Sequence, residues 1–189
     1  MMDQKFAQQI TDNIMAMYDA KGHLQYGEEL TQLQHMIQSA VLAEEEGYDE
    51  EVILAAFLHD VGHFLDQDAD LMGDVGVRNH EVIGARYLVE NGFSWKIGAL
   101  VEGHVQAKRY LCFADANYFD GLSAASRKTL GYQGGVMTSD EAAEFESDPL
   151  FDLHIRMRIW DDMGKRTDLK FDVQDKYREM ILRHLTRKD

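Results

Sequence analysis

Apolar residues recur every three or four positions along almost the whole chain, which is the spacing of amphipathic helices. Phe6, Ile10, Ile14 and Met17 mark a first helix over 5–18, and Leu30, Leu33, Ile37 and Val41 a second over 29–46, ending in an acidic run before Gly47. The stretch from Val52 to Leu58 is apolar on every face, so the helix predicted over 50–62 is a buried one. Further helices are predicted over 80–91, closed by Asn91-Gly92, and over 94–111, opened by Ser94 as N-cap. The remaining ones open at Ser123, run over 139–146 with half a capping box (Ser139 but Ala142), start at Pro149 and reach 161, and run over 173–186. The segments 64–79, 112–121 and 131–137 read as loops. No strand alternation is present, and Pro149 is the sole proline. The expected fold is all-α, one compact helical domain over residues 1–189.

Composition narrows what such a domain does. The chain has 189 residues, 45% of them hydrophobic, so a sizeable core is expected rather than a disordered acidic chain. Its 34 acids against 19 Lys and Arg give a net charge of −15, which argues against nucleic-acid and anionic-membrane surfaces. Cys112 is the only cysteine, no run of membrane-spanning length is apolar, and the polar start MMDQKFAQQITDNIM lacks the core of a secretory signal. A cytoplasmic protein, a monomer or small homo-oligomer, is expected.

The chemistry lies in histidines and aspartates. His59-Asp60 closes the most apolar stretch, where an unpaired carboxylate is costly. His35, His80, His104 and Asp161 fall on other predicted helices. Imidazole and carboxylate without thiolate suit iron, manganese or zinc, and four His with two Asp suit two metals sharing a carboxylate. His59 and His63, four apart, would share a helical face. Lys108 follows His104 by four residues and Arg158 precedes Asp161 by three, so both cations travel with candidate ligands.

The order H…HD…H…H…D, with HDVGH at 59–63, resembles the HD-domain superfamily. A narrower resemblance is carried by GEELTQLQH (27–35), LAAFLHDVGH (54–63), VRNHEVIGARYL (77–88), EGHVQAKRYL (102–111), SAASRKTLGYQGG (123–135) and WDDMGKRTDLK (160–170). These strings look like the di-iron oxygenases of the 2-amino-1-hydroxyethylphosphonate dioxygenase family, which cleave C–P bonds and are related to myo-inositol oxygenase. The resemblance implies His35, His59, Asp60, His80, His104 and Asp161 as ligands of two irons in a mixed-valent Fe(II)/Fe(III) state, with Asp60 bridging. It implies O2 as cosubstrate and a small anionic organophosphonate as substrate. The phosphonate would be met by His63, Lys108, Ser126, Gln133 and Arg158, with His63 the catalytic proton donor, and the substrate's cationic end by Glu28. Gln25 stands where the family has an iron-gating Tyr, and the adjacent Tyr26 is the residue expected to reach the metal in its stead or to meet the substrate's cationic end beside Glu28. Two alternatives remain at this point: a metal-dependent phosphohydrolase of the same superfamily, and a helical binding module with a structural metal.

Overall fold

The computed structural model describes residues 2–25, 29–65 and 70–187. Ten α-helices and no strand occur among them, so the fold is all-α. Their starts follow from local capping. Asp3 opens α1 (Gln4–Lys21), Thr31 opens α2 (Gln32–Glu45) and Asp49 opens α3 (Glu50–Leu58), each side chain accepting from first-turn amides. α4 (His80–Glu90) follows Asn79 in the left-handed region, and Gly92, at φ +88°, lies just past its end. Ser94, Asp115 and Ser123 cap α5 (Trp95–Ala114), α6 (Ala116–Gly121) and α7 (Ala124–Tyr132). α8 (Ser139–Glu146), α9 (Phe151–Met163) and α10 (Gln174–Thr186) complete the order.

Four expectations need correction. The segment 112–121 is helical rather than a loop: α5 runs on to Ala114 and α6 follows at once, turned by Asp115. The capping box of α8 is complete but one residue earlier than read, with Thr138 as N-cap and Glu141 reaching back. Pro149 is not in the first turn of α9, because Asp148 accepts from the Leu150 amide and delays the helix to Phe151. The fourth correction bears on the site. The helix predicted over 50–62 stops at Leu58, and a separate 3-10 turn spans Val61–Phe64. His59 Nδ1 donates to the Ala56 carbonyl at 2.8 Å, taking the acceptor a continuing helix would offer to the Asp60 amide. Asp60 then leaves helical geometry at φ −102°, ψ 8°. His59 and His63 therefore do not share a helical face.

α3 is the centre of the molecule. Val52 to Leu58 are all buried, flanked by α2 and α5, while α9 packs against both of those helices. α1 and α10 close the opposite side, where Tyr18, Phe57 and Tyr177 lie in ring contact. One continuous hydrophobic cluster joins α1 to α5, α9 and α10. α4 lies along α5 and against the 3-10 turn. That last contact requires glycine: a Cβ on Gly62 would stand 1.9 Å from the His80 carbonyl oxygen and 2.9 Å from the Gly84 amide nitrogen. Gly62→Ala is expected to force α4 away from the turn at a cost of about 3 kcal/mol. Urea unfolding measures it, and a midpoint equal to wild type would refute this account of the contact.

Candidate metal centre and anion cavity

The break after α3 places Asp60 between two pairs of imidazoles. Its Oδ2 lies 3.7 Å from His35 Nε2 and 3.5 Å from His59 Nε2. Its Oδ1 lies 3.2 Å from His80 Nε2 and 3.8 Å from His104 Nε2. Asp161 Oδ1 completes the first side at 3.3 Å from His35 Nε2. Four helices and one connecting segment thus deliver six side chains to one place, all nine-tenths or more buried.

The orientation of each ring follows from its other nitrogen. His59, His80 and His104 each direct Nδ1 to the carbonyl three residues back: Ala56 at 2.8 Å, Val77 at 3.2 Å and Val101 at 2.6 Å. His35 Nδ1 reaches the Gly164 carbonyl at 3.0 Å. A carbonyl only accepts, so all four Nδ1 atoms carry hydrogen and all four Nε2 atoms can turn lone pairs inward. The Nε2 atoms meet in pairs, His35–His59 at 3.1 Å and His80–His104 at 3.2 Å. Two lone pairs at that distance repel unless a proton or a cation lies between them, so the donor set fits cations on both sides of Asp60.

His63 is built the opposite way. Its Nδ1 accepts the Val77 amide at 2.9 Å, so in the neutral ring the hydrogen is on Nε2, 3.9 Å from Asp60 Oδ1. The ring stacks on His80 at 3.9 Å, and Gly76, at φ +99°, leaves it room: a Cβ there would stand 2.5 Å from His63 Cε1. Proximity alone groups His63 with Asp60 and His80 as possible ligands. The protonated Nε2 makes it a hydrogen-bond donor at the edge of the cluster instead.

Protonation follows the same partition. Burial pulls down the His59 and His63 rings, and pulls His104 down to about 3. Burial also opposes charge on His35 and His80, but the carboxylates of Asp161 and Asp60 outweigh it and both are raised. Burial would raise the Asp60 and Asp161 carboxyls. His59 and Arg158, respectively, lead the charges that hold them well below the carboxylate range.

A cavity of about 80 Å³ opens beside the cluster. Its walls bring together His35, Asp60, His63, His80, His104 and Asp161 with Lys108, Ser126, Gln133 and Arg158. Ser126 lies in the first turn of α7, and Gln133 caps the same helix at its C-terminal end. Lys108 is 3% exposed and donates to Thr129 Oγ1 at 2.9 Å; burial and then Arg158 lower it to about 7. Tyr26 and Glu28 fall outside the described residues. Gln25 is exposed and donates to the Glu29 carbonyl at 2.9 Å. His154 lies against Gly103 and Phe145, a packing role.

Sequence reasoning missed several cavity residues. Lys165 lines the cavity, 3.4 Å from Ser126 Oγ and 4.0 Å from Asp161 Oδ1. Its signal was the string that supplied Asp161, although α9 ends at Met163 and Lys165 lies just beyond it. Gln32 was missed as well; it and the expected Gln133 line the cavity, and each has a buried Oε1 with no partner among the described residues. Polar atoms left so are met by a ligand or by water.

Comparison with known proteins agrees with this architecture. Residues 33–131 match the HD domain family. An uncharacterized protein of Acanthamoeba polyphaga mimivirus is 42% identical over 181 residues, 94% of this chain and 83% of that protein. The [1-hydroxy-2-(trimethylamino)ethyl]phosphonate dioxygenase (glycine-betaine-forming) of Leisingera caerulea is 42% identical over 163 residues, 85% of this chain and 83% of its own. The hydroxymethylphosphonate dioxygenase of Gimesia maris is 41% identical over 158 residues, 82% and 78%. The chain belongs to the HD-domain family, in the branch of phosphonate dioxygenases.

Proposed function

We propose that this chain cleaves the C–P bond of a small (R)-1-hydroxyalkylphosphonate with O2, at two iron ions in a mixed-valent Fe(II)/Fe(III) state. The observation that carries the reading is the convergence of four inward-turned Nε2 atoms on the two oxygens of Asp60, beside a cavity with buried cations. His35, His59 and Asp161 would hold one ion and His80 and His104 the other, with Asp60 shared. When bound, such ions would relay electrons from the substrate to O2 and polarise the substrate's oxygens.

The protein's own residues do the rest. Lys108, as a point charge, and Lys165 draw the phosphonate into the cavity, and Ser126 adds a neutral hydroxyl. His63 Nε2–H is placed to donate to an oxygen of the bound substrate and to give up its proton as the product oxygens gain charge. The cavity would position the substrate beside the six candidate ligands. The balance is R–CH(OH)–PO3H2 plus O2 giving R–COOH and phosphoric acid: the C–P bond breaks, both O2 atoms enter the products, and carbon is oxidised. The curated relatives act on trimethylamino and hydroxymethyl members of this substrate class. The substrate here is taken from the same class, with a hydroxymethyl, 2-amino-1-hydroxyethyl or trimethylammonio substituent pattern.

The reading is tested by incubating iron-loaded protein with the three corresponding phosphonates and following phosphate. Release is expected in air and not under nitrogen. Anaerobic release from phosphate esters would establish a phosphohydrolase instead, and no release from any phosphonate would refute the proposal.

His63 and His104 have opposite expected effects. His104→Ala is expected to lose bound iron, measured by elemental analysis of the dialysed protein. His63→Ala is expected to keep its iron and lose most turnover. Iron loss in the His63 variant with retention in the other would reverse the assignment.

Lys108 gives a pH signature. A lysine lowered to about 7 is an ammonium below that pH and neutral above it. Because only the ammonium attracts the phosphonate, kcat/KM is expected to fall as pH rises through about 7. Lys108→Arg, which stays charged, should carry activity to higher pH than wild type. The substrate's own ionisation affects both enzymes equally, so identical profiles would exclude Lys108 as the anion's partner.

A further inference from the structure

Lys165 reaches the cavity from a segment that is not helical. α9 ends at Met163 and residues 164–173 run irregularly to α10, so helical period does not place this cation. α2 places it instead. Gln38 is 3% exposed, and both ends of its amide are used. Nε2 donates to the Arg166 carbonyl at 2.8 Å and to the Leu169 carbonyl at 3.2 Å, while Oε1 accepts the Arg166 amide at 3.0 Å. One helical turn earlier, Gln34 pairs in the same way with Phe171, donating to its carbonyl at 2.9 Å and accepting its amide at 3.0 Å. At the near end, Gly164 lies against His35 and Ser39. Its carbonyl accepts from His35 Nδ1 at 3.0 Å, and a Cβ on it would stand 2.7 Å from Ser39 Oγ. Lys165 thus stands between two anchored neighbours, Gly164 and Arg166, and its Nζ lies 3.4 Å from Ser126 Oγ and 4.0 Å from Asp161 Oδ1.

We infer that Gln38 is a positioning residue for the anion cavity: its amide fixes the backbone around Lys165 on α2 and so holds the Lys165 ammonium where an oxygen of the phosphonate is bound. A primary amide suits this task because it offers a donor and an acceptor side by side, as a peptide unit does. A lysine side chain is itself flexible. On a loose backbone an entering anion would have to order the chain and the side chain together, and anchoring beforehand removes the first of those costs. The same segment also carries the carbonyl that orients His35, so effects on the anion and on the metal have to be read apart.

The inference rests on Lys165 meeting the anion, and the experiment separates the two. Inorganic phosphate is titrated anaerobically into iron-saturated wild type, Lys165→Met, Gln38→Met and the double variant, and the iron affinity of each is measured by competition with a chelator. Lys165→Met is expected to weaken phosphate about tenfold. Gln38→Met keeps the length of the side chain and loses every hydrogen bond. It is expected to weaken phosphate about fivefold alone and less than about twofold in the Lys165→Met background, because the two residues act through one contact. In turnover the loss should fall on KM for the phosphonate more than on kcat. Gln38→Asn keeps the amide but is one methylene short. It should give a smaller loss with the same dependence on Lys165, which keeps the test decisive if Gln38→Met folds poorly.

Equal losses in the two backgrounds would reveal a general structural role and overturn the inference, as would unchanged phosphate affinity in both Gln38 variants. Weakened iron binding with phosphate affinity intact at saturation would overturn it too, by placing the action of Gln38 at His35. Unchanged phosphate affinity in Lys165→Met would instead overturn Lys165 as a partner of the anion, and the role of Gln38 with it.

Discussion

The structure depends on keeping one carboxylate ionised in the interior. Asp60 is 8% exposed at the end of the most apolar helix, where a charge left alone costs several kcal/mol. Burial would push its proton back on, and the imidazoles around it, His59 first, prevent this. Much of the fold serves that arrangement. α3 has to stop at Leu58 so that Asp60 can turn away from the helix axis, and the His59 ring stops it by taking the Ala56 carbonyl. α4 has to approach closely enough for His80 to reach Asp60, and Gly62 allows this by lacking a side chain against the His80 carbonyl. Ligand geometry and backbone geometry are thus one problem, solved by the string HDVGH.

This explains which parts of the chain were legible beforehand. Helices whose apolar faces meet the core announce themselves by period, and α1, α2, α4, α5 and α10 appear close to where their patterns put them. The break at Asp60 was hidden because nothing in the composition of 50–62 marks it; the terminator is a side-chain hydrogen bond from His59. α6 was hidden for another reason. It has no buried residue, so no apolar stripe could show it, and its start depends on an Asp115 cap. The shift of one residue in the capping box of α8 is of the same kind, since Thr138 and Ser139 are both good caps and only the position of Glu141 chooses between them.

The candidate site divides in the same way. Which residue types come together was legible, because the motif strings carried them as resemblance. What each atom does there was not. Nothing in a sequence tells a histidine whose Nδ1 donates from one whose Nδ1 accepts, yet that difference separates His104 from His63. Nor does spacing tell how a buried cation is paired: Arg158 is three from Asp161 and four from Asp162, and its guanidinium donates to both while lining the cavity.

The charges reconcile a chain of net −15 with an anionic substrate. Surface acids are solvated and weak at the distance of a buried cavity. Within the cavity wall, Asp161 and Asp162 largely neutralise Arg158, and the raised pKa of its guanidinium reflects those two partners after the opposing effect of burial. Lys108 is the contrasting cation. Its partner is the hydroxyl of Thr129 and not a carboxylate, and its lowered pKa records an ammonium held at a cost. A phosphonate entering the cavity relieves that cost, so the attraction is strongest where the protein by itself is least comfortable. Arg158 offers less relief, because Asp161 and Asp162 already match most of its charge. On electrostatic grounds, then, a buried lysine without a carboxylate partner offers the entering anion more than an arginine already paired with two.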